Sequence, residues 1–182
     1  MRIIAGKFRG KKLLAPRGKV TRPTGAKVRE ALFDLLGGRI EGCLFVDLYA
    51  GSGAVGLEAL SRGAESVVFS EQGAAAYALL RRNVDLFQAG DAVRAFKLPV
   101  RRALDMLETA GREPDVFFLD PPWADGVWEE TLEALDRGPL LKRGAVVVVE
   151  HPSRRPVKAP PGLQLLKTRR YGDTSLTIME RP

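Results

Sequence analysis

Cysteine and histidine are nearly absent from this chain, which has one of each among 182 residues. The single cysteine, Cys43, excludes an internal disulfide framework. One cysteine and one histidine also supply too few ligands for the common structural zinc sites, so we expect no metal. Long apolar runs are missing as well, since no segment approaches the ~18 apolar residues of a membrane span.

The remaining composition is that of an ordinary globular protein, with 45% hydrophobic and 28% charged residues. The first charges of the chain are not followed by an apolar run, so we expect no secretory signal and a cytoplasmic location. The length predicts one domain over residues 1–182. Within it, we expect residues 1–24 to form a basic N-terminal hairpin extension and residues 25–182 to form the core.

Acidic residues are missing from two segments near the ends of the chain, although the chain as a whole has a net charge of +7. Residues 1–29 hold ten lysines and arginines and residues 151–171 hold six, and neither segment contains Asp or Glu. The central residues 30–150 carry a net charge of −8. Such segments can be ordinary solvated surfaces, but two of them in one chain favour a polyanionic partner such as nucleic acid.

Apolar patterning from residue 44 onward predicts strands that alternate with helices. Strands are predicted at 44–49, 66–71, 93–98, 116–120 and 145–150, and helices at 55–62, 74–87, 102–110 and 128–135. This alternation indicates a parallel sheet with helices on both faces. The last two apolar stretches, 163–170 and 174–180, have no helix between them and predict an antiparallel hairpin.

The residues before this alternating region predict two smaller elements. Short strands at 2–5 and 8–14 form the basic hairpin. A helix follows over 25–36, with Thr24 as its cap and with three apolar side chains on one face, namely Val28, Leu32 and Leu35.

The turn after the first predicted strand is rich in glycine, with Gly51, Gly53 and Gly56 spaced as in dinucleotide-binding turns. Glu71 ends the next strand, where an acid can bind ribose hydroxyls. The pattern indicates a nucleoside-bearing cofactor, either nicotinamide adenine dinucleotide or S-adenosylmethionine. Asp47, placed to meet a cationic amine, and the short chain favour the second.

The fourth strand of the alternating region leads into Asp120-Pro-Pro-Trp123, which lies at the carboxyl edge where ligands bind. The Asp120 carboxylate and the Pro121 carbonyl can accept hydrogen bonds from an exocyclic amine. Pro122 stiffens the turn, and Trp123 offers a face for a flipped base. We predict that these residues align an amine nitrogen for methyl transfer. The alternative interpretation is a rigid Pro-Pro turn that is capped by an aromatic residue and has no catalytic role.

Four further motifs accompany these two, namely Arg2-Ile-Ile-Ala-Gly-Lys-Phe-Arg-Gly10, Arg22-Pro-Thr24, Val28-Arg-Glu-Ala-Leu-Phe33 and Tyr171-Gly-Asp-Thr174. Together the motifs make the chain resemble the bacterial RsmD-type 16S ribosomal RNA guanine-N2 methyltransferases over nearly its whole length. The resemblance implies a class I S-adenosylmethionine-dependent methyltransferase fold, Rossmann-like, with a seven-stranded mixed sheet in the order 3-2-1-4-5-7-6. It also implies methyl transfer from S-adenosylmethionine to the N2 amine of one guanine.

The resemblance further implies partners, namely 16S rRNA within an assembled or partly assembled 30S subunit, together with ribosomal proteins. We expect the protein itself to act as a monomer that binds no membrane. The residues expected to bind the cofactor are Asp47, Tyr49, Ala50, Gly51, Ser52, Gly53, Glu71, Gln72, Arg102 and Ala103. The residues expected to bind RNA are Arg2, Lys7, Arg9, Lys11, Lys12, Arg22, Thr24, Arg29 and Tyr171.

The sequence departs from the family pattern at three positions. Trp123 stands where the family usually has Phe or Tyr. Arg102 stands before Ala103, where an Asp or Asn of the family meets the adenine. Gly73 replaces an acid that follows the ribose-binding position, which leaves Glu71 with Gln72 beside it.

Three other functions fit parts of the sequence. The same tetrapeptide serves N-methyltransferases that act on DNA adenine or on a protein glutamine. A non-catalytic RNA-binding assembly factor could use the same fold. A nicotinamide-dependent oxidoreductase fits the glycine turn, but no obvious acid–base pair for hydride transfer accompanies it.

Overall fold

Strands alternate with helices after residue 43, as the sequence predicts. The computed structural model describes residues 1–15, 25–123 and 126–182. The helices are α1 (Ala26–Leu36), α2 (Ala54–Ser61), α3 (Ala74–Phe87), α4 (Val100–Thr109) and α5 (Val127–Arg137). The strands are β1 (Leu44–Asp47), β2 (Ser66–Ser70), β3 (Val93–Phe96), β4 (Val116–Leu119), β5 (Val146–Pro152), β6 (Gln164–Tyr171) and β7 (Thr174–Glu180).

These strands form one seven-stranded sheet in the order β3-β2-β1-β4-β5-β7-β6. The first five strands of the chain pair in parallel, and β7 pairs antiparallel with both β5 and β6. The order implied by the resemblance and the predicted terminal hairpin are both confirmed. The parallel strands therefore all end at one edge of the sheet, called here the carboxyl edge.

Helices cover both faces of the sheet, so its central strands are apolar on both sides. Phe45 and Phe118 pack on the face that carries α1, α2 and α3. Their chain neighbours Val46 and Phe117 point the other way and pack with α4 and α5. All four side chains are essentially fully buried. No helix among the described residues has the length and apolarity to cross a membrane.

Helix α1 buries a face that is rotated from the predicted one, since Leu32 is buried as predicted while Val28 and Leu35 are only partly buried against the core. Its buried side chains are Arg29, Leu32, Phe33 and Leu36. Gly25 is the N-cap residue and makes no side-chain capping bond. The predicted cap, Thr24, lies outside the described residues. The sequence prediction followed the apolar side chains, but the core on this side also takes in one arginine.

The N-terminal hairpin contains less strand structure than predicted. Residues 1–15 form one isolated antiparallel bridge, Arg2 to Lys12, and no strand. The Ile3 amide donates to the Lys11 carbonyl at 3.0 Å, and the Gly10 amide donates to the Ile3 carbonyl at 2.9 Å. Turns occupy the residues between. The segment therefore depends on the core for its shape.

The buried Glu58 carboxylate on α2 anchors this segment. It accepts hydrogen bonds from the backbone amides of Ile4 at 2.8 Å and Ala5 at 2.9 Å. It also pairs with Arg62 at 2.9 Å and with the Arg29 Nε at 3.6 Å. Because four groups share one carboxylate with 0% exposure, the N-terminal segment is held to the core by charge as well as by packing.

Arg29 lies inside this cluster and not on the surface. Its side chain is 1% exposed, and its Nη2 donates to the Arg2 carbonyl at 2.7 Å. Burial lowers the pKa of the guanidinium, although the nearby Glu58 opposes that shift. The expectation that Arg29 binds RNA is therefore wrong, because the guanidinium is enclosed by the core.

We expect replacement of Glu58 by alanine to cost about 3–5 kcal/mol of unfolding free energy, because it strands the buried Arg29 charge. Hydrogen exchange at the Ile4 and Ala5 amides should accelerate at the same time. Arg39→Ala is the matched control, since it breaks an exposed pair with Glu180 worth about 0–1 kcal/mol. Equal losses in the two variants, measured by chemical denaturation, would contradict the anchoring role.

Candidate active site

A cavity of about 1370 Å³ opens at the carboxyl edge of the sheet. Its wall is built from the loops that follow successive parallel strands, as expected for ligand sites in open α/β sheets. The residues that line it include Leu14, Asp47, Tyr49, Ala50, Gly51, Ser52, Glu71, Gln72, Leu98, Val100, Asp120, Pro121, Pro122, Trp123, Val127 and Glu150. Most of the predicted cofactor residues and the whole tetrapeptide therefore share one cavity.

The glycine turn after β1 is tight and leads directly into α2. Gly51 and Gly53 have positive φ angles of 54° and 79°. A side chain at Gly53 would overlap Leu80, and one at Gly56 would overlap the Phe69 ring of β2. Glycine therefore brings the helix against the sheet and directs the N-terminus of α2 into the cavity, as the sequence predicts.

The Glu71 carboxylate is held in place by two backbone amides. Its Oε2 accepts from the Gly51 amide at 2.9 Å, and its Oε1 accepts from the Gly73 amide at 2.6 Å. Each carboxylate oxygen can accept a second hydrogen bond, so the group can also receive two ribose hydroxyls. Gly73, which replaces an acid of the family pattern, contributes its backbone amide.

Asp47 is the most deeply buried acid of the cavity, with 1% exposure. Its Oδ2 accepts from the Gly56 amide at 3.2 Å, and its Oδ1 has no hydrogen-bond partner among the described residues. Burial raises the pKa of this carboxyl to about 8, and the charges of Asp120 and Glu71 add to the effect. An orphaned buried carboxylate oxygen fits a cationic amine, so the site suits the methionine end of S-adenosylmethionine.

Tyr49 connects the turn to α5. Its hydroxyl lies 2.7 Å from the Thr131 Oγ1, which itself donates to the Val127 carbonyl at 3.0 Å. The Tyr49 hydroxyl is therefore the donor in the first bond. Burial raises the pKa of Tyr49, so the hydroxyl stays protonated and holds α5 against the cavity.

The predicted tetrapeptide lies at the mouth of the cavity. Asp120 is half-buried and Pro121 is buried, while Pro122 is exposed. Trp123 is 38% exposed, an unusual degree for so large an aromatic ring. A carboxylate and a backbone carbonyl therefore sit just inside the cavity, with a flat aromatic face at its entrance.

Three predicted cofactor residues, Gly53, Arg102 and Ala103, are not part of the cavity wall. Gly53 lies in the glycine turn as the N-cap of α2. Arg102 is exposed, and Ala103 lies on the buried face of α4, with its amide donating to the Pro99 carbonyl at 3.1 Å. The structure does not bring Arg102 and Ala103 into the wall, because α4 begins at Val100, two residues earlier than expected. Leu98 and Val100 take the place of these residues and give this part of the wall an apolar surface.

Sequence reasoning missed Asn83, which ties the N-terminal segment to the glycine turn. The Asn83 side chain is fully buried. It accepts from the Leu14 amide at 2.8 Å and donates to the Leu14 carbonyl at 3.1 Å and to the Ser52 carbonyl at 2.8 Å. Its position in line with Leu80 and Phe87, on the buried face of α3, was the signal that could have revealed it.

Glu150 is a second cavity residue to which the sequence analysis gave no role. It lies near the end of β5 with 5% exposure and lines the cavity. A carboxylate after four consecutive valines, at the end of a buried strand, was the available signal.

The predicted RNA-binding residues near the N-terminus lie away from the cavity. The Lys7 amide donates to the Ser61 carbonyl at the end of α2, and the Lys11 Nζ lies 4.7 Å from the Phe87 ring at the end of α3. Helix α3 runs from the carboxyl edge to the opposite edge, about 21 Å for its 14 residues. Arg2, Lys7, Arg9 and Lys12 are exposed on this part of the surface. Arg22 and Thr24 lie outside the described residues.

Tyr171, the remaining predicted RNA contact, lies at the carboxyl edge. Since β6 and β5 are both antiparallel to β7, they run in the same direction and end at the same edge. The exposed Arg169 and Arg170 come directly before Tyr171. A second basic surface therefore borders the cavity side of the molecule.

Cys43 and His151 are buried away from the cavity. Burial raises the pKa of the Cys43 thiol to about 12 and lowers the pKa of His151. The His151 Nε2 lies 2.8 Å from the Thr177 hydroxyl. The described residues contain no group of three or more His, Cys, Asp or Glu side chains that could hold a metal ion.

Residues 1–180 match the protein family described as conserved hypothetical protein 95. Ribosomal RNA small subunit methyltransferase D of Haemophilus influenzae is 34% identical over 182 residues, covering 99% of this chain and 93% of its own length. The protein of the same name from Escherichia coli K12 is 37% identical over 150 residues, covering 82% and 74%. The solved structure of Escherichia coli yhhF is 33% identical with a TM-score of 0.86, covering 100% of this chain and 97% of that one.

We expect Asp47→Asn to stabilise the protein without ligand in a pH-dependent way. With a pKa of about 8, the folded carboxyl keeps a proton that the unfolded chain releases near pH 4. Stability from this group is therefore lost as pH rises from about 4 to 8. Asparagine cannot ionise, so the variant should gain on the parent across this window, by roughly 2–5 kcal/mol at pH 8.

Denaturant titrations between pH 4.5 and 8.5 measure this difference, and calorimetry measures S-adenosylmethionine affinity, which should fall. A stability difference that stays constant across the pH range would contradict the raised pKa of the buried Asp47 carboxyl.

Proposed function

Because the chain belongs to the conserved hypothetical protein 95 family, we propose that it transfers a methyl group from S-adenosylmethionine to the N2 amine of a guanine in 16S ribosomal RNA. One observation carries this proposal. Two acids suited to a nucleoside cofactor, the buried Asp47 and the half-buried Glu71, line the same cavity as Asp120 and Trp123. Relatives named as ribosomal RNA small subunit methyltransferases at 34% and 37% identity support the RNA substrate.

The residues on the glycine-turn side of the cavity fit each part of the cofactor. Asp47 would hold the methionine amine and Glu71 the ribose hydroxyls, while Leu98 and Val100 would pack against the adenine. S-adenosylmethionine supplies an activated methyl group on a sulfonium. The carboxylates of Glu71 and Asp120 favour a cationic ligand at this edge, and such a ligand would also stabilise the charged form of Asp47.

The same charges argue against a nicotinamide dinucleotide. A pyrophosphate at the glycine turn would bring two negative charges close to Asp47. With a pKa of about 8 in the ligand-free protein, the Asp47 carboxyl would be kept neutral by such a ligand, whereas a cationic amine would stabilise its charged form. The unpartnered Oδ1 of Asp47 favours the methyl donor.

The tetrapeptide would orient the base and its amine. Trp123 offers a stacking face for a guanine flipped out of its RNA strand. The Asp120 carboxylate and the Pro121 carbonyl would accept hydrogen bonds from the N2 amine, which orients the nitrogen lone pair toward the methyl group. The nitrogen–methyl bond forms as the sulfur–methyl bond breaks, and the amine then loses a proton to Asp120 or to water. Alignment and polarisation supply the rate enhancement.

Two alternative functions can be distinguished from the proposed one by experiment. An N-methyltransferase acting on DNA adenine would use the same Asp120 and Trp123. A non-catalytic assembly factor would not need the intact cavity. Methyl transfer to RNA separates both from the proposal.

We expect Asp120→Ala to lower the rate of methyl transfer by about 10²–10⁴-fold, because the amine loses its main hydrogen-bond acceptor. Calorimetry should show that S-adenosylmethionine still binds. Transfer of labelled methyl to small ribosomal subunits and to naked 16S RNA, followed by nucleoside analysis, measures the rate and identifies the methylated atom. Asp105→Ala, on the outer surface of α4, is the control, and full activity in the Asp120 variant would refute the proposed role.

The basic N-terminal surface gives a second expectation. Replacing Lys7, Arg9, Lys11 and Lys12 with glutamine should weaken RNA binding and flatten its salt dependence, by about 0.7–0.9 in logarithmic slope for each phosphate that the variant no longer neutralises. The control replaces Arg101 and Arg137, exposed arginines of α4 and α5 on the other face of the sheet. A salt slope that is unchanged in the first variant would exclude the N-terminal segment as an RNA-binding surface.

A further inference from the structure

Glu150 occupies the position beside Asp120 in the sheet. Leu119 of β4 is paired with Val149 of β5 in a parallel register, so the next residues of the two strands are neighbours at the carboxyl edge. Adjacent strands lie about 4.8 Å apart. Both residues line the cavity together with Trp123. Two acidic residues therefore occupy adjacent positions in the wall of the cavity.

We propose that Glu150 determines base specificity by accepting a hydrogen bond from the N1–H of the guanine whose N2 amine faces Asp120. The inference rests on the proposed function and deepens it. Asp120 can accept from the amine of any base, because adenine and cytosine also carry exocyclic amines. A second acceptor is needed to read the ring atom beside that amine.

The chemistry of the bases makes a carboxylate suitable for this task. In guanine the ring nitrogen next to the amine carries a hydrogen, so its edge presents two adjacent donors. In adenine and cytosine the corresponding ring nitrogen presents a lone pair. That lone pair would face the Glu150 carboxylate and leave two acceptors opposed in a buried site, which is strongly unfavourable. Two adjacent carboxylates thus match guanine and reject the other amine-bearing bases.

Glu150 is a buried carboxylate that belongs to the cavity wall. It follows the apolar run Val146–Val149 and is 5% exposed. The side chain therefore lies in the part of the wall that a bound base would contact.

The test pairs E150Q with a substrate analogue. Nucleoside analysis of the wild-type product first locates the methylated residue, and small subunits are then reconstituted with guanine or 2-aminopurine at that position. The analogue keeps the N2 amine but carries a lone pair at N1. The wild-type enzyme should prefer guanine in kcat/KM by at least about 10²-fold. In E150Q the preference should fall at least tenfold, because guanine loses rate and 2-aminopurine does not.

E133Q is the matched control, since Glu133 is an exposed acid of α5 paired with Arg137. It should keep the wild-type preference. Thermal unfolding and S-adenosylmethionine binding check that E150Q is folded. If E150Q is not, E150D keeps the charge, and it should retain part of the preference for guanine.

The outcomes separate the two proposals. An equal loss of rate on both substrates in E150Q, or an unchanged preference, would overturn the specificity role while leaving guanine methylation intact. A wild-type enzyme that forms no N2-methylguanine in 16S RNA would refute the proposed function itself.

Discussion

The parallel register of the central strands is the constraint on which the site depends. Because β1, β2, β4 and β5 run in one direction, the residues that follow them or end them meet at one edge of the sheet. Asp47, Glu71, Asp120 and Glu150 are far apart in the chain, and each is presented there by a strand whose neighbours are apolar.

Placing several acids at one edge of the sheet is electrostatically unfavourable in the ligand-free protein. Burial, with a smaller contribution from the charges of Asp120 and Glu71, raises the pKa of Asp47 to about 8, so the ligand-free cavity disfavours the charged form of this carboxyl. A cationic ligand reverses this effect. The buried Glu58 uses the opposite strategy, since it is surrounded by arginines and amides from the start. Glu58 thus stabilises the fold, whereas the charged form of Asp47 would be stabilised by a bound cationic ligand.

Sequence patterns predicted the alternating strands and helices, the glycine turn and the tetrapeptide because each depends on residues adjacent in the chain, whereas the strand order was implied by the family resemblance. The errors arose where distant residues decide the outcome. From the sequence alone Arg29 is predicted to be a surface cation, and only the fold places Glu58 beside it. Arg102 does not line the cavity, because α4 begins at Val100. Glu150 had only one local signal, a carboxylate that follows four consecutive valines. Its position opposite Asp120 is a property of strand pairing, which no single segment reveals.

The outermost strand, β6, indicates a second role for the basic residues near the end of the chain. Seven of the eight residues of β6 are exposed, including Leu165 at 50% and Leu166 at 44%. A long edge strand with free backbone groups and exposed leucines is a template for pairing with another chain. Lys167, Arg169 and Arg170 lie on this same strand, and two copies brought edge to edge would oppose cation to cation. In such a pairing the positive charges would repel each other, which disfavours self-association through this edge.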